Sequence, residues 1–388
     1  MHNMPGSRSL SRRKFLAATG GALAAAPVEA RGASGIQTSL APDPDAPIAL
    51  PALVIPAPPA VARKIPIGVF DPVFYHLTLD AFLDKLAALG LEAVEVATSD
   101  YPATPHCPVK EMLDDPAKAR AWKRKFDDRN IRIGAFSCHG NPLHPDSRIA
   151  ERDREAFHRT VLLAERLEVP VIVGFSGCPG DSESAKHPNW VTYRWPDDFE
   201  EVVEWQWKEK VVPYWKEAAA FARQHSVRRL AFEMHPGFVV YNPWTLLRLR
   251  EAVGEEIGAN NDLSHLFWQG CDPVEVIHLL GKHGALFHAH MKDTLVFRDN
   301  VAVAKYGLLA FEPHDTGRDH LSMVFRAVGY GHGANLWKDI VKAYMDVGYQ
   351  GILSIENEDP FLAGEVGVER AAYVLKNVRA ELLTQDGK

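Results

Sequence analysis

From Lys64 onward, short apolar runs alternate with longer amphipathic stretches, and eight such units follow one another. The runs are rich in β-branched residues, which favours strands, whereas the longer stretches repeat their apolar positions at helical spacing. Eight strand–helix units predict a parallel sheet closed into a (β/α)₈ TIM barrel. An open doubly wound sheet is the alternative, but no G-x-G-x-x-G follows any of the runs. The predicted strands are Ile65–Phe70, Ala93–Ala97, Ile131–His139, Val169–Ser176, Arg229–His235, Gly258–His265, Ala285–Asp293 and Gly351–Glu358.

Two of the predicted connections are unusually long. One runs from Gly177 to Asp198 after the fourth strand, and the other runs from Thr294 to Asn335 after the seventh. Loops of this length in a compact domain are usually functional or disordered. Both follow strands, so we expect both on the face of the barrel where the strands end, which is where barrel active sites are built. A single long helix is predicted over Phe199–His225.

The N-terminal part of the chain has the pattern of an export signal. The segment Ser11-Arg12-Arg13-Lys14-Phe15-Leu16 contains paired arginines, and a short apolar stretch and small residues follow it, as in bacterial Tat signals. Residues 31–62 are rich in Pro and Ala, which predicts an extended linker. The predicted organisation is therefore a Tat signal peptide over residues 1–30, a linker over 31–62 and a single barrel domain over 63–384. We expect the Tat export machinery to carry the protein to the periplasm.

Composition excludes several classes of protein. Of the 388 residues, 46% are hydrophobic and 24% are charged, which is ordinary for a globular protein. The net charge of −7 argues against a nucleic-acid partner. Four cysteines without a C-x-x-C pair argue against a disulfide scaffold or a zinc ribbon. No segment approaches the about 20 apolar residues of a membrane span, so we expect no membrane contact after signal cleavage. The sequence leaves a homo-oligomer open.

Acidic and imidazole side chains stand at the ends of four consecutive predicted strands. Because alternate residues of a barrel strand point inward, the apolar pattern places Glu233, His290 and Glu356 inside the barrel. Asp262 ends the sixth strand, where a polar run leaves its direction open. Three carboxylates and one imidazole suit a hard or borderline divalent cation, with Mn²⁺ or Mg²⁺ expected first and Co²⁺ or Zn²⁺ also compatible.

Four segments carry a resemblance to a known family. They resemble the xylose isomerase-like superfamily of sugar (phosphate) isomerases and epimerases, which includes ketose 3-epimerases, inosose dehydratases, hydroxypyruvate isomerases and endonuclease IV. The resemblance covers roughly residues 64–380, and it implies that Glu233, Asp262, His290 and Glu356 are metal ligands. It further implies that Glu233 and Glu356 are the catalytic proton carriers. The segments are Glu233–Gly237, Asp262–Gly270, His288–Asp293 and Ser354–Asp359.

Further residues are candidates for binding the substrate. His265 matches a histidine that contacts substrate in ketose 3-epimerases, and Arg326 resembles the arginine of a related Arg-Gly-rich segment. Three more candidates follow from strand positions: His139 ends the third strand, His235 points inward beside Glu233, and Lys292 points inward on the seventh strand, where an ion pair is the simpler interpretation. One departure from the ketose 3-epimerases is Val239, which replaces a second glutamate.

The resemblance implies a divalent-metal-dependent sugar isomerase or epimerase. Such an enzyme acts through an enediolate on a hydroxy-ketone, aldose or ketose sugar, with the metal as Lewis acid and carboxylates as general base and acid. Loss of a leaving group from the same enediolate would instead make the protein a lyase or dehydratase, or a hydrolase-like enzyme, acting on keto-sugars or keto-glycosides. Export favours a substrate without phosphate.

Overall fold

The computed structural model describes residues 64–99, 101–102, 105–298, 303–304, 307–309 and 321–385. All of them belong to the larger of two compact units, which spans Leu53–Lys388. The predicted signal peptide and linker lie outside the described residues.

Eight parallel strands close into a barrel, which confirms the predicted TIM-barrel fold. The first seven barrel strands pair in chain order, and the eighth pairs with both the seventh and the first. The barrel strands are β1 Ile67–Phe70, β2 Ala93–Ala97, β3 Arg132–Ser137, β4 Ile172–Gly174, β5 Leu230–Glu233, β6 Ile257–Asn260, β7 Leu286–Met291 and β10 Leu353–Ile355.

Two further strands form an antiparallel ribbon beside the barrel. Strand β8, Asp293–Val296, pairs with β9, Met323–Arg326, and Thr294 lies opposite Phe325. The connection predicted over Thr294–Asn335 therefore contains a strand pair. The sequence pattern did not show this pair because its two short strands are far apart along the chain.

Helices surround the barrel, and none that the structure describes is both long and apolar enough to cross a membrane. A 3₁₀ turn, Asp71–Phe74, follows β1, and a π-helical segment, Gln206–Val211, joins two α-helices. The α-helices are α1 Leu79–Ala88, α2 Val109–Asp114, α3 Pro116–Asp127, α4 Ser147–Leu167, α5 Asp197–Trp205, α6 Val212–Gln224, α7 Pro243–Val253, α8 Leu263–Phe267, α9 Pro273–Lys282, α10 Ala334–Asp346 and α11 Gly364–Gln385.

The single α-helix predicted over Phe199–His225 is interrupted by the π-helical segment. Pro213 lacks the N–H that would continue the α-helical hydrogen bonds at this point. The buried side chain of Gln206 points from the segment towards the loop after β4, where its Nε2 lies 2.9 Å from the Gly180 carbonyl and 2.7 Å from that of Asn189. The irregular turn thus ties the long loop to the helix.

The sixth strand is shorter than the predicted Gly258–His265. It ends at Asn260, and the chain turns at once into helix α8. Asp262 caps this helix, because its Oδ1 accepts a hydrogen bond from the Ser264 N–H at 2.9 Å. The turn resolves the direction of Asp262, whose other oxygen faces the barrel interior.

Bulky side chains fill the barrel near the N-terminal ends of its strands. A Cβ at Gly134 would lie 2.6 Å from Ile352, and a Cβ at Gly258 would lie 2.3 Å from the ring of Phe287. Glycine at these positions therefore makes room for the two large side chains. Because this end is packed, the polar side chains inside the barrel gather at the opposite, C-terminal end.

Candidate active site at the C-terminal ends of the strands

The structure brings together the four side chains that the resemblance implies as metal ligands. Glu233, Asp262, His290 and Glu356 each offer a ligand atom, and these atoms all lie within 4.8 Å of one another. His290 Nδ1 lies 3.0 Å from Glu356 Oε2, 3.6 Å from Glu233 Oε2 and 3.9 Å from Asp262 Oδ2. We call these four residues the carboxylate–histidine cluster.

The donor set fits a divalent cation. Three of the four side chains are at most 3% exposed, and that of Glu356 is 15% exposed. Asp262 Oδ2 is buried, 2.9 Å from the ammonium of Lys292 and 3.4 Å from His265 Nε2. Buried carboxylates require compensation by a cation or by protonation. A divalent metal ion would supply the compensating charge. Carboxylate oxygens and imidazole nitrogens are ligands that Mn²⁺, Mg²⁺ and Zn²⁺ accept.

Lys292 lies among the carboxylates. Its Nζ is 2.7 Å from Glu356 Oε2, 2.9 Å from Asp262 Oδ2 and 3.0 Å from Glu358 Oε2. Burial would lower the pKa of this ammonium, but the surrounding carboxylates hold it well above its usual value. The ring of Phe325 on β9 lies 4.9 Å from Nζ. The ion pair expected for Lys292 is therefore present, and it shares two oxygens with the carboxylate–histidine cluster.

Two histidines hold the carboxylate of Glu233. His265 Nε2 lies 3.0 Å from one oxygen, and His139 Nε2 lies 3.2 Å from the other. Burial would raise the pKa of Glu233, but these hydrogen bonds and the charge of His290 hold it well below its usual value. In Glu356 burial prevails over the nearby Lys292 and His290, so its pKa is raised. The two carboxylates predicted to be catalytic thus differ in how readily they ionise.

His235 borders the same site. Its Nδ1 lies 2.5 Å from the Pro236 carbonyl oxygen, and its ring packs against His265 with centroids 4.1 Å apart. Burial, with repulsion from His265, lowers the pKa of His235 to about 4, so the ring is neutral near pH 7. His235 therefore packs against His265 as an uncharged ring.

Arg326 does not contact the cluster through any interaction among the described residues. Its Nε donates to Asp359 Oδ2 at 2.8 Å, and its guanidinium lies over the ring of Phe361 at 5.0 Å. The arginine expected to bind substrate thus joins β9 to the loop after β10. Its neighbour Phe325 reaches the site instead, 5.2 Å from His265.

Glu95 is a buried polar residue of the site that the sequence analysis missed. It lies on β2 with its carboxylate inside the barrel, 2.8 Å from His288 Nε2 and 2.9 Å from His290 Nε2. Ser354 donates to it at 2.7 Å, and the Ser137 hydroxyl also donates to it. Burial would raise the pKa of Glu95, but the two histidines hold it well below its usual value. The signal was a lone charge within the apolar strand Ala93–Ala97.

Aromatic rings form an apolar wall beside the cluster. Phe70 stacks on His290 at 5.6 Å, and Phe175 lies 4.5 Å from His139 and 5.0 Å from His235. Such rings can pack against the C–H groups of a sugar, whereas the opposite polar groups bind its oxygens.

Comparison with known proteins identifies the family. A family model described as "Xylose isomerase-like TIM barrel" matches residues 83–378. The chain is 34% identical to the uncharacterized protein YfiH of Bacillus subtilis (strain 168) over 303 residues, which are 78% of this chain and 95% of the relative. The chain belongs to the xylose isomerase-like TIM barrel family.

Solved structures share the fold at low sequence identity. The probable 3-DHS dehydratase AsbF from Bacillus anthracis has a TM-score of 0.55 at 16% identity. The match covers 81% of this chain and 99% of the AsbF chain. A xylose isomerase domain protein from Planctomyces limnophilus has a TM-score of 0.54 at 18% identity, with coverages of 82% and 99%. The IOLI protein with a binding zinc atom has a TM-score of 0.54 at 17% identity, with coverages of 83% and 99%.

Proposed function

We propose that this protein is a divalent-metal-dependent sugar isomerase or epimerase. The convergence of Glu233, Asp262, His290 and Glu356 on one point carries the proposal. Family membership supports it, and structures with the same fold include a D-tagatose 3-epimerase-like protein and the zinc-containing IOLI protein.

The four residues of the carboxylate–histidine cluster would hold the metal. When bound, the metal supplies Lewis acidity that polarises the carbonyl of a hydroxy-ketone sugar. Glu233, whose pKa is held low, is ionised at neutral pH and would accept a proton from the carbon beside that carbonyl. Glu356 ionises less readily, so it is suited to return a proton to the opposite face or to the neighbouring carbon.

The histidines around Glu233 would set its direction. His139 and His265 hold both carboxylate oxygens, which restrains the rotation of the group that takes the proton. His265 and Lys292 contact the proposed metal ligands, so we assign both to substrate binding beside the metal. Arg326 would act indirectly, by holding Phe325 against the site.

The charge of the site favours an uncharged sugar. Five carboxylates, those of Glu95, Glu233, Asp262, Glu356 and Glu358, lie in or behind the site, so they outnumber the charges of a bound divalent ion and of Lys292. Among the described residues, the guanidinium of Arg326 is already paired with Asp359. A phosphate would meet this negative field without a free arginine to bind it. Periplasmic export through the predicted Tat signal agrees with such a substrate.

A dehydratase or lyase is the second candidate. The buried Nδ1 of His139 has no hydrogen-bond partner among the described residues, and it could accept a hydrogen bond from a substrate hydroxyl. After Glu233 has removed the proton from carbon, Glu356, whose pKa is raised, would protonate the departing hydroxyl so that it leaves as water. The fold shared with AsbF, described as a probable dehydratase, is compatible with this outcome.

Metal content and proton exchange test the proposal together. Wild type, Glu356→Gln and the control Glu365→Gln, whose target pairs with Lys85 on the surface, are purified and loaded with Mn²⁺. We expect one tightly bound ion per chain in wild type and control and its loss in Glu356→Gln. Incubation with keto-sugars in deuterated water should then show carbon-bound deuterium only where metal is retained. A product lighter by one water would indicate the dehydratase. A wild type without metal and without exchange would refute both candidates.

A further inference from the structure

The carboxylate of Glu95 lies directly behind the carboxylate–histidine cluster. It is fully buried and receives contacts from four donors on three different strands. Two of these donors are imidazole nitrogens, and two are serine hydroxyls. A carboxylate without these donors would be costly at this depth, so the complete set indicates a built arrangement.

The contact with His290 has a chemical consequence. The Nε2 of His290 lies 2.9 Å from Glu95 Oε2, and its Nδ1 faces the carboxylates of Glu356 and Glu233. A neutral imidazole carries one proton, and a hydrogen bond to a carboxylate keeps that proton on the nitrogen that donates it. Glu95 therefore keeps a proton on Nε2. A metal ion bound by the cluster would replace any proton on Nδ1, so that the Nδ1 lone pair faces the ion.

The orientation of the His290 ring is fixed from other sides as well. Phe70 stacks on the ring, and Asn260 Nδ2 lies 3.2 Å from Nδ1. Neither residue determines which nitrogen of the imidazole carries the proton. A phenyl ring has no hydrogen-bond acceptor, and an amide can donate or accept after rotation. Glu356 is also a carboxylate and lies 3.0 Å from Nδ1, but it would bind the metal ion in the loaded protein. Glu95 is then the carboxylate that holds the ring proton, on Nε2.

We propose that Glu95 is a positioning residue for the metal ligand His290. It selects the Nε2–H tautomer and thereby presents Nδ1 to a divalent metal ion. This inference rests on the proposed metal-dependent function, but it concerns a residue that does not itself reach the metal.

A second ion bound by Glu95, His288 and His290 is the competing interpretation. Their ligand atoms lie within 4.8 Å of one another. However, the histidine nitrogens already lie at hydrogen-bond distance from the carboxylate, and the Ser137 and Ser354 hydroxyls use its remaining lone pairs. This arrangement favours a hydrogen-bonded network, and the number of ions bound per chain distinguishes the two.

Glu95→Gln tests the proposal with almost no change of shape. The amide would direct an N–H at one of the histidines or hydroxyls that now donate to Glu95. If it faces His290, Nε2 must accept, and the proton moves to Nδ1, where it blocks the metal. We expect calorimetric titration with Mn²⁺ to show about 10–100-fold weaker binding than in wild type, as for other supporting residues of metal ligands.

The matched control is Glu92→Gln, the same chemical change at a glutamate that pairs with Lys64 and Arg379 away from the site. We expect its Mn²⁺ affinity to equal that of wild type. Thermal unfolding of both variants checks that they fold. Unchanged Mn²⁺ affinity in Glu95→Gln would overturn the role of Glu95 alone, whereas a wild type that binds no metal would overturn the proposed function.

Nitrogen NMR of the wild type provides a test that does not depend on the variant folding. In the Zn²⁺-loaded protein, we expect the His290 ring to carry its proton on Nε2, with the resonance assigned by its loss in His290→Gln. A proton on Nδ1 would overturn the proposal. Two Zn²⁺ ions per chain, with one lost in Glu95→Gln, would overturn it in favour of the second ion.

Discussion

At the scale of single residues, Lys292 and a divalent cation would compete for the same oxygens. The ammonium contacts Asp262 and Glu356, two of the four proposed ligands. A bound metal ion would neutralise Asp262 and Glu356 in place of the Lys292 ammonium. Glu358 would then remain as the partner of Lys292. Lys292 can therefore stabilise the metal-free protein and still be available to a substrate oxygen in the loaded one.

Lys292→Met tests this compensation. Removal of the buried ammonium leaves Asp262 and Glu356 short of a cation, and breaking such a pair costs about 3–5 kcal/mol of folding free energy. We expect a lower Tm without metal and a larger increase in Tm on adding Mn²⁺ than in wild type. Differential scanning calorimetry of both proteins measures the two shifts, with the surface variant Lys85→Met as control. An equal Mn²⁺-induced shift in both would show that ammonium and metal do not share the carboxylates.

Thiol reactivity has a pH dependence that follows from burial. Burial raises the pKa of the Cys178 thiol to about 12, whereas a free cysteine ionises near about 8.5. Because only the thiolate reacts and a raised pKa keeps the thiol protonated, Cys178 should stay unalkylated by iodoacetamide at pH 9. Mass spectrometry of the labelled peptide, compared with protein unfolded in guanidinium chloride, measures this. Equal labelling in both states would contradict the expected burial of the thiol.

The sequence could predict side-chain direction but not long-range partners. Alternation along single strands was enough to predict Glu233, His290 and Glu356 on the inside, where the structure places them. Glu95 obeys the same alternation, yet its partner His288 lies 193 residues later in the chain. Only closure of the barrel brings the two together, so a local pattern could not assign Glu95 a role.

At the scale of elements, Asp293 fastens the ribbon and the following loop to the barrel. Its Oδ2 accepts hydrogen bonds from the backbone N–H groups of Gly329, Gly331 and His332, and from the indole of Trp337. Four donors on one buried oxygen fix where the chain passes between β9 and α10. The same hydrogen bonds restrain the ribbon that carries Phe325, which contacts the site.

Gly331→Ala should weaken the hydrogen bonds that Asp293 accepts from this loop. A Cβ at Gly331 would lie 2.3 Å from the Thr294 carbonyl oxygen and 2.7 Å from Asp293 Oδ1, so the backbone must shift, at a cost of about 1–3 kcal/mol. We expect faster hydrogen exchange over residues 323–333. Gly333→Ala is the matched control, because a Cβ there meets nothing within 4 Å. Equal exchange in the two variants would show that the loop adapts and that Asp293 does not fix its path.

The bounds of elements were predicted less well than their order. Strand β6 stops at Asn260 because Asp262 caps a helix, which a polar run alone does not indicate. The ribbon escaped prediction because β8 must find β9 across a long insertion. The π-helical segment has no periodicity of its own that separates it from an α-helix. A tertiary contact decides the ribbon, and tertiary contacts accompany the π-helical segment, whereas a local helix cap ends β6.

At the scale of the whole molecule, the barrel separates stability from chemistry. Ile352 and Phe287 fill one end, which leaves the other end for charged groups. Eight repeats of one local pattern were sufficient to predict this architecture, because each unit can bury its apolar side only by joining its neighbours. The function and the location of the protein depend on features outside that repeat.

The predicted location rests on residues outside the described structure. If Arg12 and Arg13 form a twin-arginine signal, the chain folds before it crosses the membrane, and its metal site can be loaded in the cytoplasm. Replacement of both by lysine keeps the charge but removes the motif. We expect wild type in the periplasmic fraction of a Tat-competent bacterium and the double variant Arg12→Lys, Arg13→Lys in the cytoplasm, with Arg8→Lys exported as control. Immunoblots of the fractions measure this. Export of the double variant would show that the paired arginines are not an export signal. A substrate without phosphate would then be supported by the charge of the site alone, and no longer by the location of the protein.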